Sequence, residues 1–496
     1  MDKPSDFPRR FLLVLIASAL VVLIWAVVWK PFWGLEYEDA FVYTDSASFM
    51  LHHYPWAVDL FKTKSILAGS LTNVQAFGTF GGHSEAFPLL IASVRLLTGL
   101  AAAPALMINA VLSTILLVVI SIRLAQVNQK AILPIVLLWL GAPTLVLYQT
   151  TGFAEVLSSL FVMIFLWAVE TAYLQCPGIS RRMSILSIAC FTAALATKRE
   201  NLLLLVAFPL VFMLVPDVRR RFAFLIPALF ATGIAACYAI FFNLMGVEAN
   251  EAGAIGVSTF SWGHFQLNAP ALGDALLRPD FWGGLGWVVL LSPLMSKYPG
   301  MERSYRFYAI LFAMYFFLYS MHYRSVFQVR DGAVSEIEML RYSVNMFPCA
   351  VGMLSTIAVT GFLTSSMFKR LACLLVPLFV LQGLKVREQF YSLEQGTRFL
   401  PIARGLAVIR EGEPIVLDTP MCARLIAPSS QDIRETRYFF KNLANNPSAA
   451  QRTFILVQDR EGGQRSGRIS ENLTFRETVL EETDSFRVSR FEKQAP

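Results

Sequence analysis

The chain has 496 residues, 55% of them apolar and 16% charged, and a net charge of +7; its mean hydropathy is +0.54. Soluble domains run nearer about 45–50% apolar and about 25% charged. The balance excludes a soluble enzyme, a disordered chain and a secreted disulfide scaffold, and the long apolar runs read as an α-helical polytopic membrane protein.

Met1–Arg10 ends in Arg9-Arg10, and the apolar run Phe11–Trp29 follows. That run is longer than the core of a cleaved signal, so it reads as a retained first span with its N-terminus cytoplasmic. Residues 30–85 then form a long first outer loop. Residues 86–122 read as two short spans or one; one net crossing is preferred, with 86–100 as a shallow or broken lead-in. Further apolar runs lie at 131–148, 156–173, 183–197, 201–215, 222–243, 284–296, 307–321, 342–362 and 371–384. The total is about eleven spans, each needing ~20 residues if unbroken.

Arg181-Arg182, Arg219-Arg220-Arg221, Lys297 with Arg303 and Arg306, and Lys369-Arg370 fall between these runs. The positive-inside rule puts them in the cytoplasm. Segments 148–155, 198–200, 244–283, 322–341 and the tail then lie outside. Because the basic residues are explained this way, no nucleic-acid partner is expected. Six cysteines are scattered without a CxxC, and the tail holds only Cys422, so neither a zinc site nor an internal tail disulfide is indicated.

The tail, 385–496, carries 17 Lys/Arg and 15 Asp/Glu and reads as a small extracytoplasmic α/β domain. The transmembrane part is 1–384. Residues 414–418 and 453–459 read as buried strands, and 430–443 as a helix between them.

Chemistry-bearing residues gather on the outer side. Glu36, Glu38 and Asp39 lie within four residues just past the first span. Adjacent carboxylates repel, so the cluster reads either as a carboxylate that holds its proton more tightly and suits a general base, or as a solvated, acidic loop start. His83 and Glu85 close the same loop, where Ser84 and Pro88 suit a helix start. Glu155 stands at the outer end of a span, and a carboxylate there is either a site residue or simply hydrated. Lys198-Arg199-Glu200 is a tight outer link, either a phosphate cradle or a self-paired turn. Arg324 and Arg341 are cations at the outer surface that bind phosphate or snorkel. His264 in the 244–283 loop is a lone histidine, more often structural than a ligand. No histidine pair has metal-ligand spacing.

Together these stretches resemble the GT-C superfamily of membrane glycosyltransferases, most closely its arabinofuranosyltransferase-like branch. Glu38-Asp39-Ala40-Phe41-Val42 matches that branch's paired-acid motif after the first span. Gly82–Leu89 loosely matches its loop re-entry. Thr151-Gly152-Phe153-Ala154-Glu155 resembles a Gly-x-Glu motif with the glutamate one position late. Thr197–Glu200 resembles an Arg-Pro-Glu motif, with Glu200 replacing the proline and Asn201 the glutamate. Arg341-Tyr342-x5-Pro348 resembles an Arg-Tyr motif opening a late span.

The resemblance covers residues 1 to about 385 in order, together with the presence of an outer tail. It implies an inverting transferase of the cell (inner) membrane. The donor would be a polyprenyl-phosphate sugar and the acceptor a glycan, lipid or protein hydroxyl. It implies Asp39 as base, supported by Glu38, with Glu155 next in line. Arg199 and Arg341, then Lys198 and Arg324, would face the donor phosphate. His83, Glu85, Tyr342 and His264 would line the acceptor side. It makes no cofactor certain; a divalent metal, used by some relatives, stays open. The competing expectations are a lipid-linked sugar flippase or transporter and a polysaccharide polymerase.

Overall fold

The computed structural model describes residues 86–98, 104–128, 154–175, 181–215, 218–242, 258–278, 282–295, 302–322 and 344–357, five strand segments between 415 and 493, and isolated positions at 12, 132–142 and 370. Apart from Leu12, the first span lies outside them, as do the loop 30–85 and the expected 384/385 boundary. The helices from residue 109 to 357 belong to one compact unit. Residues 86–108 and the strands belong to a second.

Helix α1 spans Ala86–Thr98 and α2 spans Pro104–Asn128. At 1.5 Å per residue α1 is roughly 20 Å long, short of the ~30 Å hydrocarbon layer that α2 exceeds. Next come α3 (Glu155–Val169), its π-helical continuation Glu170–Gln175, and α4 (Arg181–Thr197). A 3₁₀ segment, Arg199–Val206, leads into α5 (Ala207–Leu214), and α6 spans Val218–Phe242. Then follow α7 (Trp262–Leu277), α8 (Leu285–Met295), α9 (Glu302–Met321), a 3₁₀ turn Val344–Met346, and α10 (Phe347–Ile357). Among the described residues one helix, Glu155–Leu174, is long and apolar enough to cross a membrane; shorter apolar helices include Ile108–Leu124 and Phe224–Ala239.

Side-chain partners fix how the helices run. Glu155 meets Lys198, Phe165 meets Phe191, and Tyr173 meets Ser184. Helices α3 and α4 are therefore antiparallel. Tyr308 bonds Glu170 near the end of α3, while Tyr319 lies on the same hydrogen-bonded chain as Ser158 near its start. Helix α9 thus also runs against α3. An aromatic cluster ties the group together: Phe208 of α5 lies 5.9 Å from Phe165, 6.1 Å from Phe191 and 5.3 Å from Phe224 of α6.

The surface of this unit inverts the soluble pattern. Ile185, Met213, Ile226, Leu229, Phe230, Trp287 and Leu294 are exposed, whereas Arg123, Glu155, Glu170, Lys198 and Asn201 are buried. Water would penalise both choices, and hydrocarbon outside the bundle accounts for both. Prolines 227, 270 and 293 sit inside helices, a tolerated arrangement in membrane helices, where neighbours satisfy the freed carbonyls.

Two expectations need correction. The segment read as an outer loop, 244–283, contains α7. Its buried residues His264, Asn268, Leu272, Ala275 and Leu276 recur at helical spacing, and Ser261 caps its start. The segment read as helical, 430–443, contains a strand, Ile433–Glu435. Parallel pairing with 415–417 holds it extended, so tertiary context outweighs local preference.

The strands are β1 (Ile415–Leu417), β2 (Ile433–Glu435), β3 (Thr453–Asp459), β4 (Phe475–Glu482) and β5 (Phe486–Lys493). They form one sheet in the order β2-β1-β3-β5-β4. β1 is parallel to β2 and β3; β5 is antiparallel to β3 and β4. Ile455, Leu456, Val488 and Phe491 are buried in it. The expected strands at 414–418 and 453–459 are present; β4 and β5 were not foreseen.

Candidate functional site

Helix α3 begins at Glu155, after an uncapped Ala154. An acid in the first turn suits the positive end of the helix dipole. Helix α4 ends at Thr197, and Lys198 is extended (φ −148°, ψ 134°) before the 3₁₀ segment. That kink turns the Lys198 side chain back toward α3. Its Nζ lies 2.9 Å from Glu155 Oε1 and 3.9 Å from Glu200 Oε1. The Glu155 side chain is fully buried, and that of Lys198 is 7% exposed.

The sequence offered two readings of Lys198-Arg199-Glu200, phosphate cradle or self-paired turn. The structure adds a third partner, because the stronger contact of Lys198 is with Glu155. The charge of each is therefore largely balanced by the other. Arg199 is half-buried at the start of the 3₁₀ segment.

One turn further in, the same two segments meet again. Asn201 Nδ2 donates to Ser158 Oγ at 2.8 Å and to the Ala194 carbonyl at 2.8 Å. The Tyr315 hydroxyl donates to Asn201 Oδ1 at 3.1 Å. Both amide hydrogens and the carbonyl oxygen of Asn201 are thus used. Ser158 Oγ donates onward to Asn345 Oδ1 at 3.1 Å, and Asn345 Nδ2 donates to the Tyr319 hydroxyl at 2.7 Å. Tyr315 and Tyr319 stack, 5.9 Å between ring centroids. Buried polar groups are costly unless paired, and here each finds a partner on another element.

His264 sits in the first turn of α7. Its backbone N–H donates to Ser261 Oγ at 3.0 Å, and its Nε2 lies 2.9 Å from the Ser258 carbonyl. The ring is tied to its own N-terminal loop. Nearby, Asn268 Nδ2 donates to the carbonyls of Ser320 and His322 at the end of α9.

A second charged cluster lies toward the other end of α3, about 22 Å from Glu155 by helical rise. Arg123 of α2 reaches Glu170 Oε2 at 2.7 Å, and the Tyr308 hydroxyl donates to the same oxygen at 2.5 Å. Gly352 of α10 lies against the Tyr308 ring. Close approach of helices over glycine is common in membranes.

Glu155, Lys198, Arg199 and His264 are thus placed, and the structure joins the first two. Glu38, Asp39, His83, Glu85, Arg324, Arg341 and Tyr342 lie outside the described residues. Ser158, Asn345, Tyr315 and Tyr319 were not foreseen. Arg123 and Glu170 were missed too, although charges inside apolar runs are a signal that could have found them. Among the described residues no group of three His, Cys, Asp or Glu could hold a metal ion.

No family model matches the chain, and neither does any curated protein. Two solved structures similar to it are of ArnT from Cupriavidus metallidurans. The form bound to undecaprenyl phosphate is 12% identical with a TM-score of 0.47. The apo state is 13% identical with a TM-score of 0.41. Each similarity covers 97% of both chains. Likeness of this degree assigns neither a family nor a chemistry.

Proposed function

We propose that the chain is an integral membrane glycosyltransferase. It moves a sugar from a polyprenyl-phosphate donor to an acceptor hydroxyl on the extracytoplasmic face, with inversion. One observation supports this reading best. Two of the motifs in the sequence resemblance, Thr151–Glu155 and Thr197–Glu200, meet where Lys198 lies 2.9 Å from Glu155 inside the bundle. A third, Arg341–Pro348, contains Asn345, which joins them through Ser158.

In the proposed reaction Asp39 takes the acceptor proton, aided by Glu38. The acceptor oxygen bonds to the anomeric carbon from the face opposite the phosphate. The bond from that carbon to the phosphate oxygen breaks, and its electron pair leaves with polyprenyl phosphate. Charge grows on the leaving phosphate, so fixed cations lower the barrier. Arg199 and Arg341 lead this role. Lys198, balanced by Glu155, stands behind them with Arg324.

The test uses purified protein in lipid and a panel of polyprenyl-phosphate sugars, with release of polyprenyl phosphate as readout. Turnover by wild type that is lost in a folded Asp39→Asn variant is the expected result. Turnover surviving both Asp39→Asn and Glu38→Gln moves the base elsewhere. Transbilayer movement of a lipid-linked sugar without release of polyprenyl phosphate overturns the transferase and favours the flippase.

A further inference from the structure

We infer that Ser158, Asn201, Asn345 and Tyr319 form one positioning unit that sets the geometry of the Glu155–Lys198 site. The inference rests on the transferase reading for its kinetic meaning and on the hydrogen bonds for its existence.

Ser158 follows Glu155 by three residues, close to one helical turn. Asn201 follows Lys198 by three residues, and its backbone N–H donates to the Lys198 carbonyl at 3.2 Å. The two segments therefore meet at two successive rungs. The outer rung is ionic, Lys198 to Glu155 at 2.9 Å. The inner rung is a hydrogen bond, Asn201 to Ser158 at 2.8 Å.

An ion pair alone fixes distance but little orientation. The inner rung supplies direction, because the planar Asn201 amide is held at three points. Ser158 then serves as the hinge atom of the unit. Its hydroxyl accepts from Asn201 and donates to Asn345. Asn345 lies four residues after Arg341 and three after Tyr342, and Tyr319 anchors it to α9. A single hydroxyl thus couples the segments that carry Glu155, Lys198 and Asn345. None of the four residues needs to touch substrate. They act through the placement of the charged groups, where small displacements cost rate rather than binding.

Ser158→Ala isolates the idea, since it removes the shared hydroxyl with little change in volume. Per folded molecule in lipid, kcat for polyprenyl phosphate release is expected to fall on the order of 10- to 100-fold. The KM for the donor is expected to stay within about threefold, the pattern of an interaction acting in the transition state. Ser158→Thr, which keeps the hydroxyl, is expected to restore most of the rate. Wild-type kcat in Ser158→Ala overturns the inference, as does a loss that Ser158→Thr does not recover. Should Ser158→Ala fail to fold, Tyr319→Phe carries the same kcat and KM test from the far end of the unit.

A wild type inactive on every donor would sink the proposed function but not this inference. The unit is then judged by thermal melting of Ser158→Ala, Tyr319→Phe and the double variant. These residues are linked through Asn345, so shifts that fail to add support one unit. Additive shifts overturn it.

Discussion

Glu155 and Lys198 neutralise each other at 2.9 Å, where solvent reaches 7% of the lysine side chain and none of the glutamate. Removing one partner takes away the nearest counter-charge of a buried group, and breaking a buried pair typically costs about 3–5 kcal/mol. Lys198→Met and Glu155→Gln are each expected to lower the melting temperature in detergent sharply. The double variant is expected to melt higher than the sum of the two losses predicts. Simple additivity would mean that the pair is not formed.

The opposite end of α3 obeys the same logic with a third member. Arg123 and Tyr308 both bond Glu170. Tyr308→Phe removes one hydrogen bond to a charged group, about 1.5–3 kcal/mol. Arg123→Met removes a counter-charge held 2.7 Å from Glu170, and its loss is expected to be larger. Adding Glu170→Gln to Arg123→Met is expected to recover part of it. Melting curves of the three variants settle the order.

Gly352 has no room for a methyl group, because a Cβ there would overlap the Tyr308 ring. Tyr308 is fully buried and held by Glu170, so it has little freedom to yield. Gly352→Ala is expected to cost about 1–3 kcal/mol through overpacking. Gly233→Ala is the control: it also lies in a helix, with nothing within 4 Å of its Cβ position. That variant is expected to melt as wild type or slightly higher.

Ser261 caps α7 by accepting from the His264 N–H. Ser261→Ala is expected to cost about 1 kcal/mol of stability, the usual worth of such a cap. Activity per folded molecule is expected to be unchanged. A selective loss of activity would point instead to a role for the His264 region in the acceptor side of the reaction.

Much of the helical unit was legible in apolar runs. The runs at 156–173, 183–197 and 307–321 correspond to α3, α4 and α9, because a hydrocarbon-facing helix must be apolar over most of its length. The turn at Lys198 was legible for the opposite reason: three charged residues interrupt an apolar stretch. Helix α7 was hidden because its stripe of buried residues includes His264 and Asn268, so hydropathy alone reads it as loop. Strands β4 and β5 were hidden by charge, since Arg476, Glu477, Arg487 and Arg490 dilute the alternation of Phe486 and Val488.

The site was less legible than the fold. Glu155 and Lys198 could each be named from position, but their pairing joins distant parts of the chain and follows only from the antiparallel packing of α3 against α4. Ser158, Asn345, Tyr315 and Tyr319 carry no motif of their own. Their significance lies in donors meeting acceptors across elements, which no local pattern encodes.

The last strand of the sheet has a consequence for how copies of the chain meet. Among the described strands, β4 pairs only with β5, so one side of its backbone borders no other described strand. Such a margin invites a neighbouring molecule to add its own strand. Here Arg476, Glu477 and Glu482 are exposed along it, and the pairing slips between Val479 and Glu481. An incoming strand would have to accommodate both fixed charge and an irregular rim. Charge and a slipped register thus make the exposed side chains of β4 a poor template for an added strand.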